Sequence, residues 1–237
     1  MWNMAITIDQ VEKYLGQNIK DEYGRVVGKL LTAYTDVSGR VESIEIALSE
    51  YQLENVEVSR LELTHDGIIV VASWKVWAQN VENKLDRVRR RMRAVDELYN
   101  KGSIPGYAYD EIKKKLSIEL NSVREEAKKV KELLRKKLGQ LEDQVIRLEK
   151  DMANLMVLYM SNEVSESAYK SAIDQLRMLK ARSSDEKRDV ERHLEIITKL
   201  ESESQPKVFR ELKTAIEPKA EVKPSESAPI QVQIVET

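Results

Sequence analysis

The chain has 237 residues, of which 34% are charged and only 5% aromatic, with no cysteine and with two histidines, His65 and His193, far apart in the sequence. That composition excludes a disulfide framework and a thiolate metal site, makes metal catalysis improbable, and is poor material for one globular core, so an elongated architecture with neither enzymatic activity nor a cofactor is expected. The net charge of −2 hides a segregation: residues 1–78 carry seven basic and twelve acidic side chains, residues 79–140 seventeen and ten, and the remainder fifteen and nineteen. Any anionic partner should therefore meet the middle segment first. No apolar run approaches the roughly 20 residues that span a bilayer, and Met1-Trp2-Asn3-Met4 has none of the features of a signal peptide, so the expected location is the cytoplasm.

From Leu15 to Trp74, short apolar alternation is punctuated by the turn signals Asp21-Glu22-Tyr23-Gly24, Asp36-Val37-Ser38-Gly39 and His65-Asp66-Gly67. This spacing predicts a small all-β barrel within residues 1–77, with strands at 18–20, 26–34, 41–47, 56–63 and 68–71 and with Val41, Ile44 and Ile46 in its core. Gly24-Arg-Val-Val-Gly28-Lys29 has three residues between its glycines, lacks the following Ser or Thr and runs into strand, so it does not read as a phosphate loop. His65-Asp66-Gly67 reads as hairpin chemistry. Trp74 and Trp77 are expected to pack the first helical turn against the barrel.

After Trp77 the sequence turns to Lys, Arg, Glu and Leu at helical spacing, and a coiled coil over 78–203 is predicted, with helices at 79–101, 107–160 and 166–203. The middle helix would reach roughly 80 Å at 1.5 Å per residue. An internal repeat organises it: Leu98-Tyr99, Ile104, Ala108-Tyr109 and Leu116 recur 60 residues on as Leu158-Tyr159, Val164, Ala168-Tyr169 and Leu176. Two similar helical corners follow, and folding at both would lay the first and third helices antiparallel on the middle one, together nearly matching its length. The middle helix carries a seam at Leu116, Leu120, Val123, Ala127, Val130, Leu134, Leu138, Leu141, Val145, Leu148, Met152, Leu155 and Tyr159, with one stutter at Leu134–Leu138. Between Lys180 and Asp189 the third helix has almost nothing apolar, and weak pairing is expected there. The seam has to be buried, so the coiled coil is expected to multimerise.

The sharpest basic cluster is Arg87, Arg89, Arg90, Arg91 and Arg93, extended by Lys113, Lys114, Lys115, Lys128 and Lys129. On helices these residues read either as a solvated coiled-coil face or as a surface for anionic membrane or DNA. Beyond residue 203 a segment rich in Ser, Glu, Lys and Pro reads as a disordered tail over 204–237. Two apolar islands interrupt it. Val208, Phe209, Leu212 and Ile216 have helical spacing and are a possible second partner site, while Pro229, Ile230, Val232, Ile234 and Val235 alternate like a strand suited to adding onto a partner's sheet edge.

Leu15-Gly16-Gln17, Asp21-Glu-Tyr-Gly24-Arg-Val-Val-Gly28-Lys29, the Tyr34–Gly39 turn and Val41-Glu-Ser-Ile44 resemble a PRC-barrel. With the coiled coil and the terminal peptide, the order of parts resembles the CdvA family of the archaeal Cdv division machinery. That resemblance implies an α+β, multi-part fold: a PRC-barrel-like β domain, a long coiled coil of helical hairpins, and a tail. It further implies a scaffold that forms filaments at mid-cell on the inner face of the membrane, with possible DNA association. Its C-terminal peptide, best matched here by Pro229–Val235, would recruit the ESCRT-III-like protein CdvB. The alternative reading is a PRC-barrel and coiled-coil protein that binds nucleic acid, in DNA organisation or in RNA and ribosome assembly.

Overall fold

A computed structural model describes residues 6–65 and 67–203 of the chain. A short helix α1 (Ile8–Val11) leads into six strands, β1 (Asn18–Asp21), β2 (Val26–Thr35), β3 (Val41–Ala47), β4 (Leu53–Glu57), β5 (Leu61–Thr64) and β6 (Gly67–Val70). They form one sheet in the order β4-β3-β2-β1-β6-β5. All neighbours are antiparallel except β1 and β6, which run parallel. Alternation places Ile19, Leu30, Val41, Ile44, Ile46, Val56, Leu61, Ile68 and Val70 in a single buried cluster with Ile6 and Val11.

The stretch 56–63, read from sequence as one strand, is two. Val58–Arg60 forms a 3-10 turn between β4 and β5, where the Arg60 side chain donates to Val71 O and to Glu54 and the Val71 amide donates to Arg60 O. The apolar alternation runs through the break, so periodicity does not reveal it. Gly28 lies inside β2, and a Cβ there would come within 2.4 Å of Ala47 O. The glycine is required by the close approach of β3, which accounts for it without a phosphate.

Three long helices follow: α2 (Ser73–Asn100), α3 (Gly106–Met160) and α4 (Glu166–Glu203). The helix α2 opens at Ser73, six residues before the sequence reading begins it. Its 28 residues, with the 38 of α4, exceed the 55 of α3, so at 1.5 Å per residue the outer helices overlap by roughly 16 Å instead of meeting end to end. The pairs Lys84–Glu126 and Arg91–Glu119 set α2 antiparallel on α3, and Lys180–Glu149, Lys187–Glu142 and Lys131–Glu201 set α4 antiparallel on α3. Trp74–Glu186, Lys75–Asp189 and Glu82–His193 place the start of α2 parallel to the end of α4. The middle of α3 is thus part of a three-helix section, and each of its ends belongs to a two-helix hairpin.

None of the thirteen seam residues of α3 is exposed. Leu120, Val123, Ala127, Leu134 and Leu141 join Ala78, Val81, Leu85 and Val88 of α2 and Val190 and Ile197 of α4 in one cluster. The stutter at Leu134–Leu138 falls at the level where α2 begins.

The 60-residue repeat is reproduced bond for bond at the two corners. At the first, the Gly102 amide donates to Tyr99 O and the Ser103 amide to Leu98 O; at the second, Asn162 donates to Tyr159 O and Glu163 to Leu158 O. These are helix C-caps in which the residue after the helix is left-handed, with φ of 68° at Gly102 and 61° at Asn162. Tyr99 stacks on Tyr109 at 4.3 Å between ring centroids, and Tyr159 on Tyr169 at 4.4 Å.

Candidate functional site

The polar stretch of α4 is not the weakly paired segment its composition suggests. Ser183 and Glu186 are buried, and the turn between β1 and β2 is seated on this stretch through Glu186 and Asp189. Asp21 organises that turn by accepting from the amides of Tyr23 and Arg25, and its carboxylate holds the Arg25 side chain at 2.6 Å. So positioned, Arg25 reaches Glu186 at 2.7 Å, and Lys137 of α3 reaches the same carboxylate at 2.9 Å. The indole N–H of Trp74 donates to Glu186 Oε1 at 3.2 Å. One buried carboxylate therefore ties the β domain to all three long helices.

A second carboxylate repeats the arrangement one turn on. Asp189 accepts from the Tyr23 hydroxyl at 3.1 Å and pairs with Lys75 at 3.0 Å, while Glu22 accepts from the Ala72 amide and pairs with Lys75 at 3.5 Å. His193 lies edge-on to Trp74 and its Nδ1 is 2.6 Å from Glu82. Burial pushes Glu186 and Asp189 up, but Arg25 with Lys137 and Lys75 with Tyr23 outweigh it, and both carboxyls lie below their ordinary values. For Glu22 burial wins over Lys75, and its carboxyl titrates above the usual range. The Tyr23 hydroxyl is pushed up by burial and by the surrounding carboxylates. Three cations, Arg25, Lys75 and Lys137, set among the carboxylates of Asp21, Glu22, Glu186 and Asp189 form a rigid joint, whose chemistry is positional. Sequence reading missed this joint because bonded members such as Tyr23 and Asp189 stand 166 positions apart. The available signal was a polar run in a helix that the seam pattern required to be covered.

The basic residues of α2 and α3 divide into two groups. Arg89 and Arg90 both pair with Asp86, Arg91 with Glu119, Lys113 with Asp96, and Lys115 with Glu111. Arg87, Arg93, Lys114, Lys128 and Lys129 stand exposed, with no carboxylate in ion-pair reach among the described residues. Trp74 is buried, but in the core of the three long helices, where among the described residues only Tyr23 of the β domain packs against the same cluster, whereas Trp77 is half-exposed and lines a shallow groove between α2 and α3 with Val81, Lys129, Val130 and Leu133. Trp77 therefore faces α3, toward Lys129, Val130 and Leu133, where the sequence reading packs it against the β domain. The tail residues Val208, Phe209, Leu212, Ile216, Pro229, Ile230, Val232, Ile234 and Val235 lie outside the described residues. Among the described residues no helix is long and apolar enough to cross a membrane, and no cluster of carboxylates and histidines is arranged to hold a metal ion.

No solved structure matches this chain. The chain is 30% identical over 238 residues to Cell division protein A of Sulfolobus acidocaldarius, an alignment covering 99% of this chain and 100% of that protein. The model of the CdvA-like coiled-coil domain matches residues 73–220, from the first residue of α2 to beyond the end of α4. A helical section that begins at Ser73, folds at two equivalent corners and is matched over its whole length places the chain in the CdvA-like coiled-coil family.

Proposed function

We propose that this protein is a non-enzymatic cell-division scaffold that self-assembles on the inner face of the cytoplasmic membrane at mid-cell and recruits a CdvB-like ESCRT-III protein through its C-terminal peptide. The observation carrying this reading is the similarity to a protein named for cell division across essentially its whole length, β domain, helices and tail included.

The physical features agree with it. The β domain, locked to the helices through Glu186 and Asp189, would hold the long section in a fixed orientation. Exposed Arg87, Arg93, Lys114, Lys128 and Lys129 present unneutralised charge, each worth about 1 kcal/mol near an anionic bilayer. The peptide from Pro229 to Val235 has the alternation that strand addition uses, with backbone bonds supplying affinity and Ile230, Val232 and Ile234 supplying selectivity.

Two arms test the proposal. The full chain, with and without residues 218–237, is mixed with anionic vesicles and a CdvB-like winged-helix fragment. The intact chain should carry the fragment into the vesicle pellet, and the truncated chain should pellet alone. Recruitment that survives truncation would refute the role of the peptide. The same exposed cations would also bind the phosphates of DNA, and competition between duplex DNA and vesicles separates that second reading from the first.

A further inference from the structure

The two hairpins share a backbone but not a surface. In the distal one, formed by the end of α3 and the start of α4, Ile146, Val157 and Met160 are 49%, 64% and 76% exposed, and Ala153 between them is exposed as well. Their spacing of seven, four and three residues is that of a second heptad seam, turned about 120° around α3 from the seam that meets α4. Met156, also exposed, flanks it. The repeat supplies an internal comparison: 60 residues earlier, the same positions of the proximal hairpin hold Asp86, Arg93, Glu97 and Asn100. One hairpin geometry is thus compatible with a fully polar face, so the apolar stripe on the other is not demanded by the fold.

From this stripe we infer that the distal hairpin pairs with the distal hairpin of a second copy, α3 against α3 in antiparallel register about a twofold axis at Ala153. This deepens the self-assembly part of the reading above and rests on it. The register follows from the sequence. A twofold at Ala153 brings Ile146 of each copy opposite Met160 of the other, and the small Ala153 side chain at the axis lets the helices approach closely. Val157 then faces the aliphatic stem of Glu149, whose carboxylate is turned aside to Lys180 at 2.7 Å.

Charge also selects this occupant. Residues 152–160 carry no charged side chain, whereas Glu142, Asp143, Arg147, Glu149, Lys150 and Asp151 fill the preceding turns. Antiparallel pairing sets the uncharged half of each copy against the charged half of the other. Parallel pairing would oppose Glu149 to Glu149 and Asp151 to Asp151. The net negative charge of those turns would also repel an anionic bilayer. The stripe is only about 21 Å long, and a helix contact of that length buries less than the roughly 1,200 Å² of a stable interface. The contact is therefore weak alone and gains strength where copies are already concentrated.

The chain has no cysteine, so single substitutions give unique cross-linking sites in the full-length protein. With a short bismaleimide, Ala153→Cys should yield about tenfold more covalent dimer than the repeat-mate control Arg93→Cys, and adding Val157→Glu should abolish the difference. If light scattering shows association while Ala153→Cys cross-links no better than Arg93→Cys, the interface is wrong and self-assembly stands. If the chain is monomeric at every concentration and neither variant cross-links, self-assembly itself fails. If anionic vesicles suppress the Ala153→Cys dimer and Val157→Glu releases the chain from them, the stripe is a membrane surface and the inference is overturned.

Discussion

Arg25 of the β1–β2 turn and Glu186 of α4 form an ion pair of 2.7 Å, and the two ends of that pair are unequally placed. The Glu186 side chain is 2% exposed, whereas Arg25 and Lys137, which share it, are each 29% exposed. The cost of breaking the joint therefore depends on which charge is left behind. A cation that has lost Glu186 can turn to water, but Glu186 cannot.

Removing the cations should consequently hurt more than neutralising the acid. Arg25→Met is expected to cost about 2 kcal/mol, and Arg25→Met with Lys137→Met more than the sum of the single changes, because they abandon the same buried carboxylate. Glu186→Gln should cost about 1 kcal/mol, since its amide still accepts from Trp74. Urea unfolding followed by tryptophan fluorescence measures all three. A larger loss for Glu186→Gln than for the double cation variant would contradict the assignment of Glu186 as the buried hub.

The same joint sets an acid limit. Glu186 and Asp189 have folded pKa values below their ordinary 4.5 and 3.8, so their contribution is complete above those values and is lost as pH falls through the lower folded ones. Glu22, shifted upward, acts in the opposite sense: its contribution is full below 4.5 and is lost as pH rises through its folded value. Stability of the wild-type chain should fall below about pH 4.5, and Glu186→Gln should flatten that limb. An unchanged acid limb in Glu186→Gln would show that other carboxylates govern it.

The corners give a prediction with an internal control. Gly102 and Asn162 occupy the same left-handed position, where glycine carries no Cβ strain and asparagine carries some. Asn162→Gly should stabilise the distal corner by a few tenths of a kcal/mol, and Gly102→Ala should cost the proximal one about 1 kcal/mol. Hydrogen exchange at the Glu163 and Ser103 amides, which donate to Leu158 O and Leu98 O, reads each corner separately.

Charge reversal at Arg87, Arg93, Lys128 and Lys129 should reduce vesicle binding by up to about 1 kcal/mol per residue, and more steeply at low salt. Reversal at Arg89 and Arg90, both committed to Asp86, should do less. Equal losses from the two sets would mean that the ion pairs do not restrain those arginines.

Much of this architecture was legible because it is local. The 3-4 spacing from Leu116 to Tyr159 located the seam of α3, and the repeated Leu-Tyr and Ala-Tyr pairs located both corners. Three features were not legible. The break at Val58–Arg60 is made by a side chain bonding across the sheet to Val71, which no periodicity records. The overlap of α2 with α4 depends on α2 starting at Ser73, and Ser73-Trp74-Lys75-Val76-Trp77 has Val76 where a capping box would need Glu or Gln to announce a helix. The joint at Glu186 is assembled from Asp21, Arg25, Trp74 and Lys137, which only the folded chain brings together. In the sequence they read as a turn, an aromatic and two surface charges.

Recruitment of a partner, as proposed above, rests on the terminal peptide. Calorimetry of the full-length chain with a CdvB-like winged-helix fragment tests it most directly, using two substitutions one residue apart. Strand addition places Val232 against an apolar groove and Gln231 outward, so Val232→Asp should cost at least about 2 kcal/mol by burying an unpaired carboxylate, and Gln231→Asp should bind nearly as well as the unaltered chain. Equal losses from the two substitutions, or unchanged binding by Val232→Asp, would contradict it.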